Sequence, residues 1–199
     1  MLTKDELLLP LARLRTDEVV VTCMGVTRPW GRISDHDLDF ASADSAMGHT
    51  ADLALGIALA QPNRKVLCLN GDGSMLMTLG TLVTIVGSDA KNLVLFVLEN
   101  GTYEITGNQP IPGARKIDFP GLARSAGFPR VYDLAMPGDF QSVLPKILTA
   151  DGPIFVGVQM ERGFEGPISR SSREEARYLK TSLADWSREF REAIAATAG

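Results

Sequence analysis

The run Val66-Leu67-Cys68-Leu69-Asn70-Gly71-Asp72-Gly73-Ser74, taken with Leu93-Val94-Leu95-Phe96-Val97-Leu98-Glu99-Asn100-Gly101-Thr102-Tyr103, decides how this chain folds. Each half is a short apolar run closed by polar residues and glycine, the pattern of a strand buried on both faces. Residues 74–86 between them read as a helix with Ser74 as its N-cap. A strand–helix–strand unit of this kind joins parallel strands by a right-handed crossover. Ligands of open parallel sheets bind beyond the carboxyl ends of strands, and Asp72 and Asn100 both fall there. Neighbouring strands lie ~5 Å apart, so both side-chain oxygens are expected to reach one small cation. Gly71 and Gly73 let backbone come close to a ligand, and the free N–H groups of the helix start suit an anion. One carboxylate, one amide oxygen and such a helix start together suit magnesium carrying a diphosphate. Leu76 stands where a dinucleotide fingerprint would need its third glycine, which disfavours that reading.

Gly71-Asp72-Gly73, followed by Asn100 at the end of the next strand, resembles the magnesium motif of thiamine diphosphate enzymes. The resemblance implies Asp72, Asn100 and the backbone carbonyl of Thr102 as metal ligands. The family often carries two Asn at the second site; here Glu99-Asn100 keeps the ligand position and changes the one before it. Ser45-Ala46-Met47-Gly48 resembles the Gly-x-Met-Gly sequence that precedes a helix in related decarboxylases and acetolactate synthases. Carried over, Met47 props the cofactor in a bent shape, a role that suits a flexible thioether. The Ser45 carbonyl then accepts a bond from the aminopyrimidine, although Ser replaces the family Gly. The loop from Gly101 to Pro110 resembles the Asn-Gly-x-Tyr-x-x-Thr-Gly-Asn-Gln-Pro pattern of sulfopyruvate decarboxylase β subunits and is close to phosphonopyruvate decarboxylases. That places Tyr103 by the diphosphate, with Glu104 and Thr106 in reach of cofactor or substrate.

The rest of the chain supplies the frame. Thr3-Lys4-Asp5-Glu6 has capping-box spacing ahead of an apolar helical face of Leu7, Leu8, Leu11 and Leu14. Residues 18–23 read as a β-branched strand. Gly25 and Thr27 beyond its end are candidate cofactor contacts, with an ordinary strand-to-loop turn equally open. Residues 28–32 read as a loop, 35–44 as polar and irregular, and the Ala/Leu-rich residues up to Ala60 as a helix. Helices are expected at 118–126 and 139–148, and strands at 130–133 and 153–159. Residues 162–170 read as a loop. A last helix at 173–196 carries Ala176, Leu179, Leu183, Trp186 and Phe190 on one face, either core or a partner seam. The expectation is an α/β three-layer sandwich around a mostly parallel sheet, a single diphosphate-type domain over 1–199.

Composition bounds the alternatives. The 199 residues are 45% hydrophobic and 22% charged, ordinary for one α/β domain. A net charge of −4 does not suggest a nucleic-acid surface. No apolar run approaches the ~18–20 residues of a membrane span, and the polar Thr3–Glu6 start gives no signal peptide. Cys23 and Cys68 in apolar strands read as buried free thiols of a reducing cytoplasm. His36 and His49 have no partner at metal-ligand spacing.

Thiamine diphosphate chemistry needs a Glu bonded to the pyrimidine, and in the family that Glu comes from a second domain. This chain has room for the diphosphate-binding half alone. The activating Glu is therefore expected on a pyrimidine-binding partner subunit, in a hetero-oligomer, and no catalytic residue is assigned here. The implied activity is decarboxylation of a small anionic 2-oxo acid, sulfopyruvate first and phosphonopyruvate next, with Arg28, Arg32, Arg162 or Arg170 open as partners of the extra anion. An acetolactate synthase-type carboligase and a cofactor-binding protein without catalysis are the alternatives.

Overall fold

The computed structural model describes residues 1–42 and 47–197. Six parallel strands form the central sheet: β1 (Val19–Cys23), β2 (Asp39–Ser42), β3 (Val66–Gly71), β4 (Leu93–Glu99), β7 (Arg130–Leu134) and β8 (Ile154–Gln159). Their order is β2-β1-β3-β4-β8-β7, and β3 lies directly beside β4 with Gly71 opposite Leu98. Every residue of β1, and all but the last of β3, β4 and β8, is buried. That is why these strands read as unbroken apolar runs. A two-stranded antiparallel hairpin, β5 (Thr102–Tyr103) with β6 (Gln109–Pro110), follows β4.

Helices cover both faces. On one, α3 (Thr50–Ala60), α5 (Thr81–Ser88) and α6 (Phe119–Ala126) touch in series; on the other, α7 (Pro137–Thr149), α1 (Lys4–Leu14) and α2 (Met24–Gly31) do so. The short α4 (Asp72–Met77) leads directly out of β3. The chain closes with α8 (Arg177–Lys180) and α9 (Leu183–Ala196). This is the expected three-layer α/β sandwich. The expected capping box of α1 is present, with Thr3 and Glu6 bonded reciprocally.

Four local expectations are corrected. The helix placed at 74–86 is two helices, and the first begins at Asp72 with Gly71 as its N-cap, so Ser74 is not a cap. The break falls at 78–80, where the Thr78 hydroxyl donates to the Gly48 carbonyl at 2.6 Å and pulls the turn aside. Residues 28–32 lie largely in a helix rather than a loop. Pro29 inside α2 has no N–H to give the Gly25 carbonyl, and the Lys4 ammonium donates to that carbonyl instead, at 2.9 Å. Residues 39–42, read as irregular, form edge strand β2 beside β1. The last helix is interrupted between α8 and α9, where Ser182 caps α9 by accepting from the Asp185 N–H.

The final helices are core. Trp186 donates to the Asp39 carbonyl at 3.0 Å, and Phe190 packs edge-on to Phe40 with ring centroids 5.1 Å apart. Together they cover the edge strand that the sequence left unassigned. Cys23 and Cys68 are buried and unbridged. Among the described residues no helix is long and apolar enough to cross a membrane.

Candidate active site

The connections diverge between β1 and β3: β1 leads outward to β2, and β3 leads to β4 on its other side. Such a switch point opens a crevice beyond the strand ends. A cavity of about 300 Å³ lies there, lined from Cys23 to Val26, by Met47 and Gly48, from Gly71 to Ser74, by Asn100, and from Thr102 to Thr106.

Asp72 sits at the floor, 2% exposed. Its Oδ1 accepts from the Gly73 N–H and its Oδ2 from the Gly101 N–H, both at 2.7 Å. The second bond spans the ends of β3 and β4, so the carboxylate and the residues around Asn100 share one rim. Among the described residues no basic side chain pairs with Asp72. Burial is the largest influence on its carboxyl and pushes the pKa up to about 6, against the two backbone N–H bonds that lower it. A buried carboxylate without a counter-charge is suited to a cation.

Asn100 turns its amide oxygen toward the Thr102 N–H, 2.9 Å away, and its amide nitrogen toward Glu104 Oε2, 3.2 Å away. Thr102 is buried and its hydroxyl donates to Asn108 at 2.8 Å. Gly73 is small for a steric reason: a Cβ there would stand 2.6 Å from the Tyr103 ring. The structure thus brings Gly25, Met47, Gly71, Asp72, Gly73, Ser74, Asn100, Thr102, Tyr103 and Glu104 to one cavity. Met47 is 57% exposed at its mouth, free of the core. Ser45 lies outside the described residues.

Other candidates are elsewhere. Thr27 is fully buried away from the cavity lining, with its hydroxyl on the Cys23 carbonyl at 3.0 Å. His49 pairs with Asp52 at 2.6 Å, and His36 accepts from the Leu38 N–H. Arg28 is held by Glu174, and Arg32 by Glu165 and Glu175. Arg170 donates to the Tyr178 carbonyl. Arg162 lines a second cavity, beyond Gly101, with Glu99 and Arg115. The Glu99 carboxyl, which replaces the family Asn, is pushed up to about 7, mainly by burial.

Sequence reasoning missed Lys4. It enters the sequence reading only as part of the capping-box spacing, yet its ammonium reaches the cavity wall and bonds Glu104 at 2.7 Å. Leu2 brings it there by pairing in parallel with Met160 past the end of β8. Met160 and Glu161 line the same wall. Nothing local in the sequence signals that pairing.

An open parallel α/β sheet with a buried carboxylate, a carboxamide and a close-packed glycine at its switch point has the build of a ligand-binding α/β domain. Residues 37–158 match the model of the thiamine pyrophosphate enzyme C-terminal TPP binding domain, and the chain belongs to that family. It is 34% identical over 182 residues to phosphonopyruvate decarboxylase of Streptomyces viridochromogenes, covering 91% of this chain and 43% of that protein. It is 35% identical over 164 residues to sulfopyruvate decarboxylase subunit beta of Methanothermobacter thermautotrophicus, covering 82% of this chain and 84% of that subunit. The chain thus spans under half the length of the first relative and most of the second. Among solved structures, the thiamine diphosphate-dependent 4-hydroxybenzoylformate decarboxylase of Rhodococcus jostii RHA1 superposes with a TM-score of 0.66 at 24% identity. That likeness covers 82% of this chain and 33% of the other and concerns the fold.

Proposed function

We propose that this chain is the diphosphate- and magnesium-binding subunit of a thiamine diphosphate-dependent 2-oxo-acid decarboxylase. Its substrate is sulfopyruvate, with phosphonopyruvate as the next choice, and it works with a pyrimidine-binding partner chain in the cytoplasm. The observation that carries the reading is the buried Asp72 carboxylate, which has no basic partner among the described residues and is bonded across the rim to Gly101 beside Asn100. The near-complete coverage of a relative named as a beta subunit supports the divided arrangement.

Asp72, Asn100 Oδ1 and the Thr102 carbonyl would hold the metal, an all-oxygen set of the kind magnesium takes when phosphate and water complete the shell. Gly71, Gly73 and Ser74 leave room for the diphosphate beside α4. The exposed Met47 side chain would support the bent cofactor. When bound, the cofactor would supply a nucleophilic carbon and an electron sink for the loss of carbon dioxide. The apolar part of the wall, Met24, Val26, Met77 and Ile105, excludes water from that region. The activating Glu belongs to the partner.

The experiment is direct. Thiamine diphosphate with magnesium should raise the melting temperature of the purified chain. The chain plus a partner of pyrimidine-binding type should then release carbon dioxide from sulfopyruvate. Full turnover by the chain alone would overturn the divided active site, and acetolactate formation from pyruvate would favour carboligation.

A further inference from the structure

Glu104 lines the cavity, and its carboxylate already accepts from three protein donors. Oε1 accepts from the Lys4 ammonium at 2.7 Å and from the Glu165 N–H at 2.9 Å. Oε2 accepts from the Asn100 amide nitrogen at 3.2 Å. Glu104 is buried at 7% exposure, and Lys4 also holds the Gly25 carbonyl. One carboxylate therefore joins the start of α1, the end of β4 and the segment around Glu165. A Cβ on Gly163 would collide with Glu104 Oε1 and Lys4 Nζ, so that segment lies directly on the ion pair.

A carboxamide is nearly symmetric in shape, and its neighbours decide which end is oxygen. An ionised carboxylate only accepts. We infer that Glu104 is a positioning residue that fixes the Asn100 amide with its nitrogen turned away and its oxygen offered to the metal. This rests on the metal reading of Asp72 and Asn100 given above. It removes Glu104 from the cofactor's direct contacts and gives it a role through Asn100.

The substitution Glu104→Gln makes the idea sharp. A glutamine has one NH2 end, which must face either Lys4 and the Glu165 N–H or the Asn100 amide. Two donors oppose it on the first side and one on the second. The lower-cost arrangement turns the new NH2 toward Asn100. Asn100 then either keeps two NH2 groups opposed or flips, which sets its own NH2 against the Thr102 N–H and where the metal should bind. Asn100→Asp cannot flip wrongly, because both its ends are oxygen. Alone, it sets two carboxylates together; with Glu104→Gln, the glutamine NH2 donates to the new aspartate.

The test measures the magnesium concentration that half-saturates the thermal stabilisation of the full chain by excess thiamine diphosphate. Wild type, E104Q, N100D and the double variant are compared. The expectation is a rise of about tenfold or more for E104Q. N100D should also lose affinity, and the double variant should bind magnesium more tightly than either single one. A role confined to the Lys4 pair or to the 163–165 segment would give E104Q the same loss in the N100D background, and that result would overturn the inference. So would an E104Q midpoint within twofold of wild type. A wild-type chain with no magnesium-dependent stabilisation would overturn the metal reading and the inference with it, a failure recognisable before any variant is compared.

Discussion

Asp72 Oδ2 and the Gly101 N–H meet at 2.7 Å, and this bond is the physical link between two successive strand ends. It holds the carboxylate of one strand against the loop that carries Asn100 and Thr102 from the next. The carboxylate has left the strand and entered the cavity rim, so it supports no core packing. Asp72→Ala removes two backbone hydrogen bonds but also the burial cost of the carboxylate, so the unliganded melting temperature should stay within about 4 °C of wild type. The substitution should also abolish the added stabilisation by thiamine diphosphate with magnesium. Persistence of that stabilisation, measured by differential scanning fluorimetry, would sink the ligand assignment.

The same site makes the unliganded chain pH-sensitive. Burial raises Asp72 to about 6 and Glu99 to about 7, so the folded chain holds these protons more tightly than the unfolded one. Stability contributed by a raised acid is fully present below the unfolded value and is lost as pH rises through the folded value. The melting temperature of the unliganded chain should thus fall between pH 5 and pH 8. Asp72 contributes on the order of 1 kcal/mol of that loss. Magnesium with the cofactor needs the ionised carboxylate, so its stabilising effect should grow over the same interval. Asp72→Asn should abolish the ligand trend and shrink the unliganded one, leaving the part that Glu99 contributes. Melting curves recorded from pH 5 to 8 with and without ligand decide it.

The arginines carry a different expectation from the one their sequence position invites. Arg28 donates to both oxygens of Glu174, at 2.8 and 2.5 Å, and to the carbonyls of Gly166 and Pro167. It ties the 166–174 segment to α2 with four of its five N–H donors, and its charge is paired with Glu174 rather than offered to a substrate anion. Arg28→Ala should lower stability by about 1–2 kcal/mol. The ligand-induced shift in melting temperature should stay as in wild type. An Arg28→Ala chain of unchanged stability would contradict the bidentate tie.

What the sequence made legible follows physical lines. Strands β3 and β4 are buried along their length, so an apolar run ending in Gly-Asp-Gly or Glu-Asn-Gly announced both strand and rim. The motif's close set, Asp72, Gly73, Asn100, Thr102 and Tyr103, is local to those ends and came with them. Strand β2 was hidden because its burial is supplied from far along the chain, by Trp186 and Phe190. Helix α2 was hidden because Pro29 and two glycines read as a loop, and the bond that stabilises it comes from Lys4. Lys4 itself was invisible as a site residue, since a Leu2–Met160 pairing decides where it goes. The lesson lies in range: signals within one strand–turn–helix unit survive in sequence, while groups positioned by distant pairings do not.

Gly73 shows how closely the rim is packed. It lies in α4 with ordinary helical backbone, so conformational freedom does not explain it. The explanation is space: a Cβ would stand 2.6 Å from Tyr103 Cδ1 and 3.3 Å from Ile111 Cγ2. Tyr103 belongs to the β5–β6 hairpin, whose position closes one side of the cavity. Gly73→Ala should push the ring outward and open the hairpin, at a cost of about 1–3 kcal/mol as for other overpacked sites. Limited proteolysis should then cut within 103–110 faster than in wild type. Tyr103→Ala removes the ring that the new methyl would strike. The Gly73→Ala/Tyr103→Ala chain should accordingly be no less stable than Tyr103→Ala alone. An additive loss in the double variant would mean that the glycine is needed for something other than the ring's approach.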